Sequence, residues 1–340
     1  VKPKILQSTD AHAPLTRITS VEDFKTILKA MLVTGIPEIG GTCGWSELFD
    51  DEDGLVLRDG NTGNTRDWIF RGFQHNSYNV CDIRGCDTAS SSNTGVNIFP
   101  SEAIKPPMDT TSAHYNSSPT IHLFGKGTYF IENWVIIATD KVVYIFTENP
   151  YSSYKTQYIN ENYGWQGMCF GHFKGHGANV ETAFVSGVSF YSESYTNSWY
   201  LFGTSASGRY IQRTPDGDVG DGAIEVNAEC DKVMVRKVGE GNLSSNKTLS
   251  HHMHTRTGLP NMTTIEDPII TSDVWMTQNR VAIGKMYGIK NINAYGLPPL
   301  AQGNVSTLAD GKDYAIFKWG GDSYANGAAV LFNLSDDWDA

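Results

Sequence analysis

Nowhere in its 340 residues does this chain hold the roughly 20 consecutive apolar positions that a membrane-spanning helix needs. Positive charge is scarce: 26 Lys and Arg stand against 37 Asp and Glu, a formal net charge of −11, and no basic run gathers them. Counterion-release binding requires clustered cations, so neither direct nucleic-acid binding nor adhesion to an anionic membrane surface is expected. Charged residues of all kinds make up only 19%, low for a free-standing monomer. Together with 34 Gly and 16 Tyr, this fits a surface partly covered by partner subunits, and equally a large β protein with many turns. The first residues, VKPKILQSTDAHAP, lack the apolar core of a secretory signal and predict a chain made in the cytoplasm.

Cysteine is sparse and odd in number: Cys43, Cys81, Cys86, Cys169 and Cys230 leave at least one thiol unpaired. Cys81 and Cys86, in CDIRGC, have the spacing to close a small loop or to supply half of a metal site. No second Cys or His pair lies at matching distance, so a zinc ribbon is not supported and buried thiols are expected. The odd count leaves an intersubunit disulfide open. Catalytic signatures are missing too. There is no G-x-S-x-G; Ser186 in FVSGVSF precedes a glycine without a strand-to-helix elbow and reads as a strand or turn residue. The acidic clusters Asp50–Asp53 and Asp336–Asp337 look like solvated turns rather than the opposed carboxylates of a glycosidase. His251, His252 and His254 in HHMH concentrate imidazoles without a fourth ligand. Asp216, Asp218, Asp221 and Glu225 offer oxygen ligands but not the 12-residue calcium loop. No metal, no cofactor and no enzymatic activity are expected, and no internal repeat is visible.

What is present is β-structure. Trp134–Glu148 reads WVIIATDKVVYIFTE, two aromatic and β-branched runs around a Thr-Asp-Lys break, which predicts a hairpin. GMCFGHFKG (167–175) and ETAFVSG (181–187) predict further short strands, and GWSELFDDEDGLVLRDG (44–60) two strands around an acidic turn. One helix is expected. Ser20 caps it, Glu22 and Asp23 suit its first turn, Phe24, Ile27, Leu28, Met31 and Leu32 share one face, and Gly35 and Pro37 end it. Ahead of it, residues 1–19 read as an extended arm of the kind that docks on a neighbouring subunit. The Ser-, Thr-, Asn- and Pro-rich stretch 85–120 reads as long loops. The fold class is therefore mainly β: antiparallel sheets in sandwich- or barrel-like units, with one short N-terminal helix and long loops. The expected divisions are an arm and helix (1–40), a β-rich unit with long loops (41–120) and a main β-sheet domain (121–340) with an exposed insertion near 239–264. Within the last, Tyr151, Tyr154, Tyr158, Tyr163 and Trp165 crowd one segment. Such aromatics serve as subunit contacts, as core packing at a sheet edge, or as platforms for stacking glycans.

In order along the chain, these landmarks resemble a family of virion structural proteins from tailed bacteriophages. The resemblance runs through ILQSTDAHAP and the helix Val21–Leu32, then Gly44, Trp45, Phe49 and Arg58. It continues with the hairpin 134–148, FGHFKG (170–175) and FVSG (184–187). Late in the chain come AIGKMYGIKN (282–291), Gly311, Lys312 and Tyr314, and VLFNLSDDW (330–338). The matches span nearly the whole chain, each of them short. Met286-Tyr287-Gly288 lacks the proline of the family pattern, and 239–264 has no counterpart. The resemblance implies a non-enzymatic structural component of the particle; the expected role is oligomeric assembly at the neck, collar or tail, where the particle axis suggests a trimer or sixfold ring. Its partners would be itself and other virion proteins, with no nucleic acid and no membrane span. The alternative is a receptor-binding module of the tail tip or fibre that takes a host surface glycan.

Overall fold

The computed structural model describes residues 1–75, 78–99, 120–124, 130–148, 165–175, 183–188, 210–213, 224–227, 271–278, 281–293, 303–308, 310–319 and 328–338. Within them the protein is mainly β, with antiparallel sheets and a single α-helix.

The hairpin predicted at 134–148 forms as Trp134–Ala138 and Val142–Glu148, with Val143 opposite Ala138 and Thr147 opposite Trp134. Thr139 closes the turn: its amide donates to the Val142 carbonyl at 2.9 Å, and its hydroxyl accepts from the amides of Lys141 and Val142. Residues 134–139 and 142–147 are all buried. An antiparallel hairpin with one wet face would alternate apolar and polar residues; a run apolar at every position needs cover on both faces. The sheet order supplies it. Lys4–Gln7, Trp134–Ala138, Val142–Glu148, Trp165–His172, Ala183–Val188 and Tyr210–Arg213 make a six-stranded central sheet, and each face packs on another layer.

The division follows the two-residue period of a strand. Trp134, Ile136, Ala138, Val143, Ile145, Met168, Phe170, Ala183 and Val185 point to one side, where they meet the helix and a five-stranded N-terminal sheet. Val135, Ile137, Val142, Tyr144, Phe146, Cys169 and Phe184 point to the other and meet Met286, Ile289, Ala315, Phe317, Phe332 and Trp338 of a C-terminal sheet. The N-terminal sheet runs Ser46–Asp50, Leu55–Arg58, Asp67–His75, Tyr78–Cys86, Thr120–Phe124. The C-terminal sheet runs Ile224–Asn227, Thr271–Gln278, Val281–Asn293, Ala328–Asn333, Asp313–Trp319, Asn304–Thr307, with Lys174–Gly175 joining the long strand Val281–Asn293. Three stacked sheets replace the two layers of a simple sandwich.

The helix spans Val21–Lys29. Ser20 accepts from the Asp23 amide at 3.1 Å, and Asp23 accepts from the Ser20 amide at 3.1 Å, a reciprocal capping box. Residues Ala30–Thr34 continue as a π-type turn, so the α-helix proper is shorter than Val21–Leu32, although Met31 and Leu32 stay in the core. Gly35 ends it: φ is +83°, and a Cβ there would lie 2.3 Å from the Thr42 nitrogen. Both facts demand glycine. The arm, expected on a neighbour, lies on its own chain. Lys4–Gln7 pairs with Val135–Ala138 as an edge of the central sheet. The stretch predicted as loop from 85 carries a short ribbon, Thr88–Ala89 with Gly95–Val96, and Phe99 bridges Gly85.

Candidate functional site

Trp165 opens the strand Trp165–His172, and its backbone pairs with Glu148. Tyr151, Tyr154, Tyr158 and Tyr163 lie outside the described residues, as do the insertion 239–264, His251, His252, His254, Asp216, Asp218, Asp221 and Cys230. Glu148 and Trp165 are the last paired residues of two neighbouring strands. The aromatic segment therefore starts and finishes at one end of the central sheet, on the ladder that holds Tyr144, Phe146, Met168 and Phe170.

Other residues singled out in the sequence have structural employment. Ser186 sits mid-strand, between Cys169 on one side and Gln212 on the other. Glu225 is in the strand Ile224–Asn227, across from Thr277. Asp51 closes the acidic turn by accepting from the amides of Asp53 and Gly54. Asp50 receives Lys25 at 2.8 Å and Lys29 at 2.6 Å, tying the helix to the first strand of the N-terminal sheet. Burial pushes the pKa of Asp50 up, but the hydrogen bonds from Lys25 and Lys29 outweigh it and leave the carboxyl below its usual value. Asp336 pairs with Lys312 and accepts from Asn333. Cys43, Cys81, Cys86 and Cys169 are buried and take no part in a disulfide. Cys81 and Cys86 belong to one strand, five residues apart, so their side chains leave opposite faces and cannot join each other. Burial pushes the Cys43 and Cys86 thiols up to about 12 and Cys81 well above its ordinary value. These thiols are unreactive at neutral pH.

Two interior polar clusters escape any reading of the sequence. In the first, the fully buried Asp59 carboxylate accepts from Trp68 Nε1 at 3.0 Å and the Arg66 amide at 3.1 Å, both on Oδ2; Oδ1 accepts from the Asn61 amide at 3.1 Å. His172 Nε2 approaches Oδ2 at 2.8 Å. Around it, Trp45 Nε1 donates to the Thr139 carbonyl at 2.9 Å, the Gly60 amide to Asp140 O at 2.8 Å, and the His172 amide to Lys141 O at 2.9 Å. Gly60 permits this approach, since a Cβ there would stand 2.9 Å from the Asp140 Cβ. The cluster clamps the loop after Arg58 to the turn of the central hairpin. With the His172 side chain 1% exposed and that of Asp59 0%, the pair is closed to a substrate; its chemistry is to hold two sheets in register.

The second cluster lies on the outer face of the N-terminal sheet. Arg71 grips Asp82, its direct cross-strand partner, through Nε at 3.2 Å and a terminal nitrogen at 3.0 Å. Arg84 adds bonds to Asp82 Oδ2 at 3.1 and 2.8 Å. Arg58 likewise chelates Asp67, which also accepts from the Ala89 amide at 2.7 Å. Burial lowers the pKa of Arg84, against the opposing pull of Asp82. Nothing in CDIRGC or FRGF signals such pairs, because their partners are set by register. Among the described residues no three His, Cys, Asp or Glu side chains are grouped to hold a metal ion. Likewise, no helix is long and apolar enough to cross a membrane. No known family model matches the chain, and no curated protein matches it.

Proposed function

We propose that the chain is a structural component of a tailed-phage virion and acts by oligomeric assembly at the neck, collar or tail. The observation that carries the reading is where the aromatic segment is rooted. Its ends, Glu148 and Trp165, are adjacent on the central sheet, a layer packed on both sides. A set of Tyr and Trp anchors gains most from such a base, because rigid support lowers the ordering entropy of binding. The order of the landmarks, which resembles that of phage virion proteins, and the low charge content support the same reading.

The test is incorporation into particles. A chain with Tyr163→Ala and Trp165→Ala should keep its circular dichroism and its melting transition, yet be absent from purified virions that contain the unsubstituted chain. Normal incorporation would overturn the assignment of this segment as an interface. An unsubstituted chain that never appears in purified particles would overturn the virion reading itself.

A further inference from the structure

Sheet edges are where β-proteins must guard against pairing with other chains, and among the described residues three edge strands of four or more residues have described side chains. The first, Lys4–Gln7, is covered: Lys4 Nζ donates to the carbonyls of Gly40 and Thr42 at 2.6 and 2.5 Å, and Gln7 Nε2 donates to Gly303 O at 3.3 Å. The second, Ser46–Asp50, carries Glu47 and Asp50, both bound to helix lysines, and its register shifts between Glu47 and Phe49. Charge and a bulge are both devices that discourage pairing. The third, Asn304–Thr307, has neither. It ends the C-terminal sheet, has unbroken register against Asp313–Ile316, and reads Asn-Val-Ser-Thr without charge or proline. Val305 is 46% exposed, and Asn304 and Thr307 are exposed beside it.

The ladder tells which backbone groups of this strand point away from its sheet. The Leu308 amide donates to Lys312 O, and hydrogen-bonded pairs alternate along an antiparallel ladder. Ser306 and Asn304 therefore turn their amides inward, towards Tyr314 and Ile316, while Val305 and Thr307 turn theirs outward. Gly303 offers no continuation, since its amide donates to Ile316 O and its carbonyl accepts from Gln7.

We propose that the strand Asn304–Thr307 is a docking edge for the same strand of a second copy, paired antiparallel about a twofold axis at Ser306. This rests on the assembly reading above and names the surface that serves it. With the axis at Ser306, Val305 faces Thr307 of the other copy and the reverse, so both outward residues of each chain are used. Four main-chain hydrogen bonds form, and two β-branched residues meet across the new ladder. Two copies of net charge −11 repel over most of their surfaces, and a neutral strand is a place where they can approach. A partner strand of alternating charge would find no counter-charge on these four residues.

The geometry sets the test. A residue on the axis belongs to a non-hydrogen-bonded pair, whose Cα atoms stand about 4.5 Å apart, within disulfide reach. In a Cys230→Ser background, Ser306→Cys treated with diamide should give a covalent dimer, and adding Val305→Pro should abolish it. Proline at 305 removes only an outward amide, so the melting transition should hold. Self-association measured by sedimentation should weaken roughly tenfold or more. If the unsubstituted chain associates but Ser306→Cys does not cross-link and Val305→Pro associates unchanged, this edge is wrong while assembly stands. A chain that stays monomeric and does not cross-link overturns the self-pairing, and incorporation into virions then decides the assembly reading separately.

Discussion

The two faces of the central sheet come from the same strands yet bind their neighbours differently. On the side of the C-terminal sheet the contact is aromatic. Phe146 stacks on Phe317 with centroids 3.9 Å apart, and Phe332 meets Tyr144 edge-on at 4.8 Å. Trp338 lies 5.9 Å from Tyr144, against Gly288, where φ is +67° and no Cβ would fit. The Tyr144 hydroxyl donates to Tyr287 O at 2.8 Å across this layer. On the side of the helix and N-terminal sheet aliphatic residues surround an aromatic contact too, with Phe170 5.3 Å from Trp68 and from Phe70 and 5.9 Å from Trp45, but here the polar clamp around Asp59 fixes it. Area and dispersion hold the first interface and are tolerant of small shifts; hydrogen bonds hold the second in one register.

That contrast can be broken from either side. Phe146→Ala should have the largest effect, about 3–5 kcal/mol, because it removes a buried ring and leaves a cavity between two sheets. Urea unfolding followed by fluorescence would measure it. Asp59→Ala should cost about 3 kcal/mol, since Trp68, His172, Arg66 and Asn61 all lose a buried acceptor. Its distinguishing mark is hydrogen exchange: protection should fall at Gly60 and His172 and stay unchanged across the C-terminal sheet. If Phe146→Ala loosened the Asp59 clamp as much as its own interface, the two faces would be one cooperative layer. Ser20→Ala should cost about 1 kcal/mol by removing the cap, and thermal melting would register it.

The smallest effect is one of pH. The Asp50 carboxyl titrates below its usual value of about 3.9 in the folded state. Its contribution is therefore complete above that value and is lost as pH falls through the folded pKa. Lys25→Met removes one partner and should flatten the stability curve below about pH 4, by about 1 kcal/mol or less. An unchanged acid limb would mean that Lys29 alone holds Asp50.

Strand positions, the hairpin, the capped helix and the glycine that ends it follow from local chemistry, because propensity, capping and positive φ are properties of short segments. The composition of the hairpin predicts a half-buried surface, and only the stacking of a layer on each face buries it throughout. Residues 113 apart, such as Asp59 and His172, leave no such trace. Their meeting depends on which loop lies over which turn, and the Arg71–Asp82 and Arg58–Asp67 pairs depend on register. The arm shows the same division: its extended character is local, but a strand carries no mark of whose sheet it will join. Side-chain parity along a strand is written in the chain; the identity of the layer that parity faces is settled only when three sheets stack.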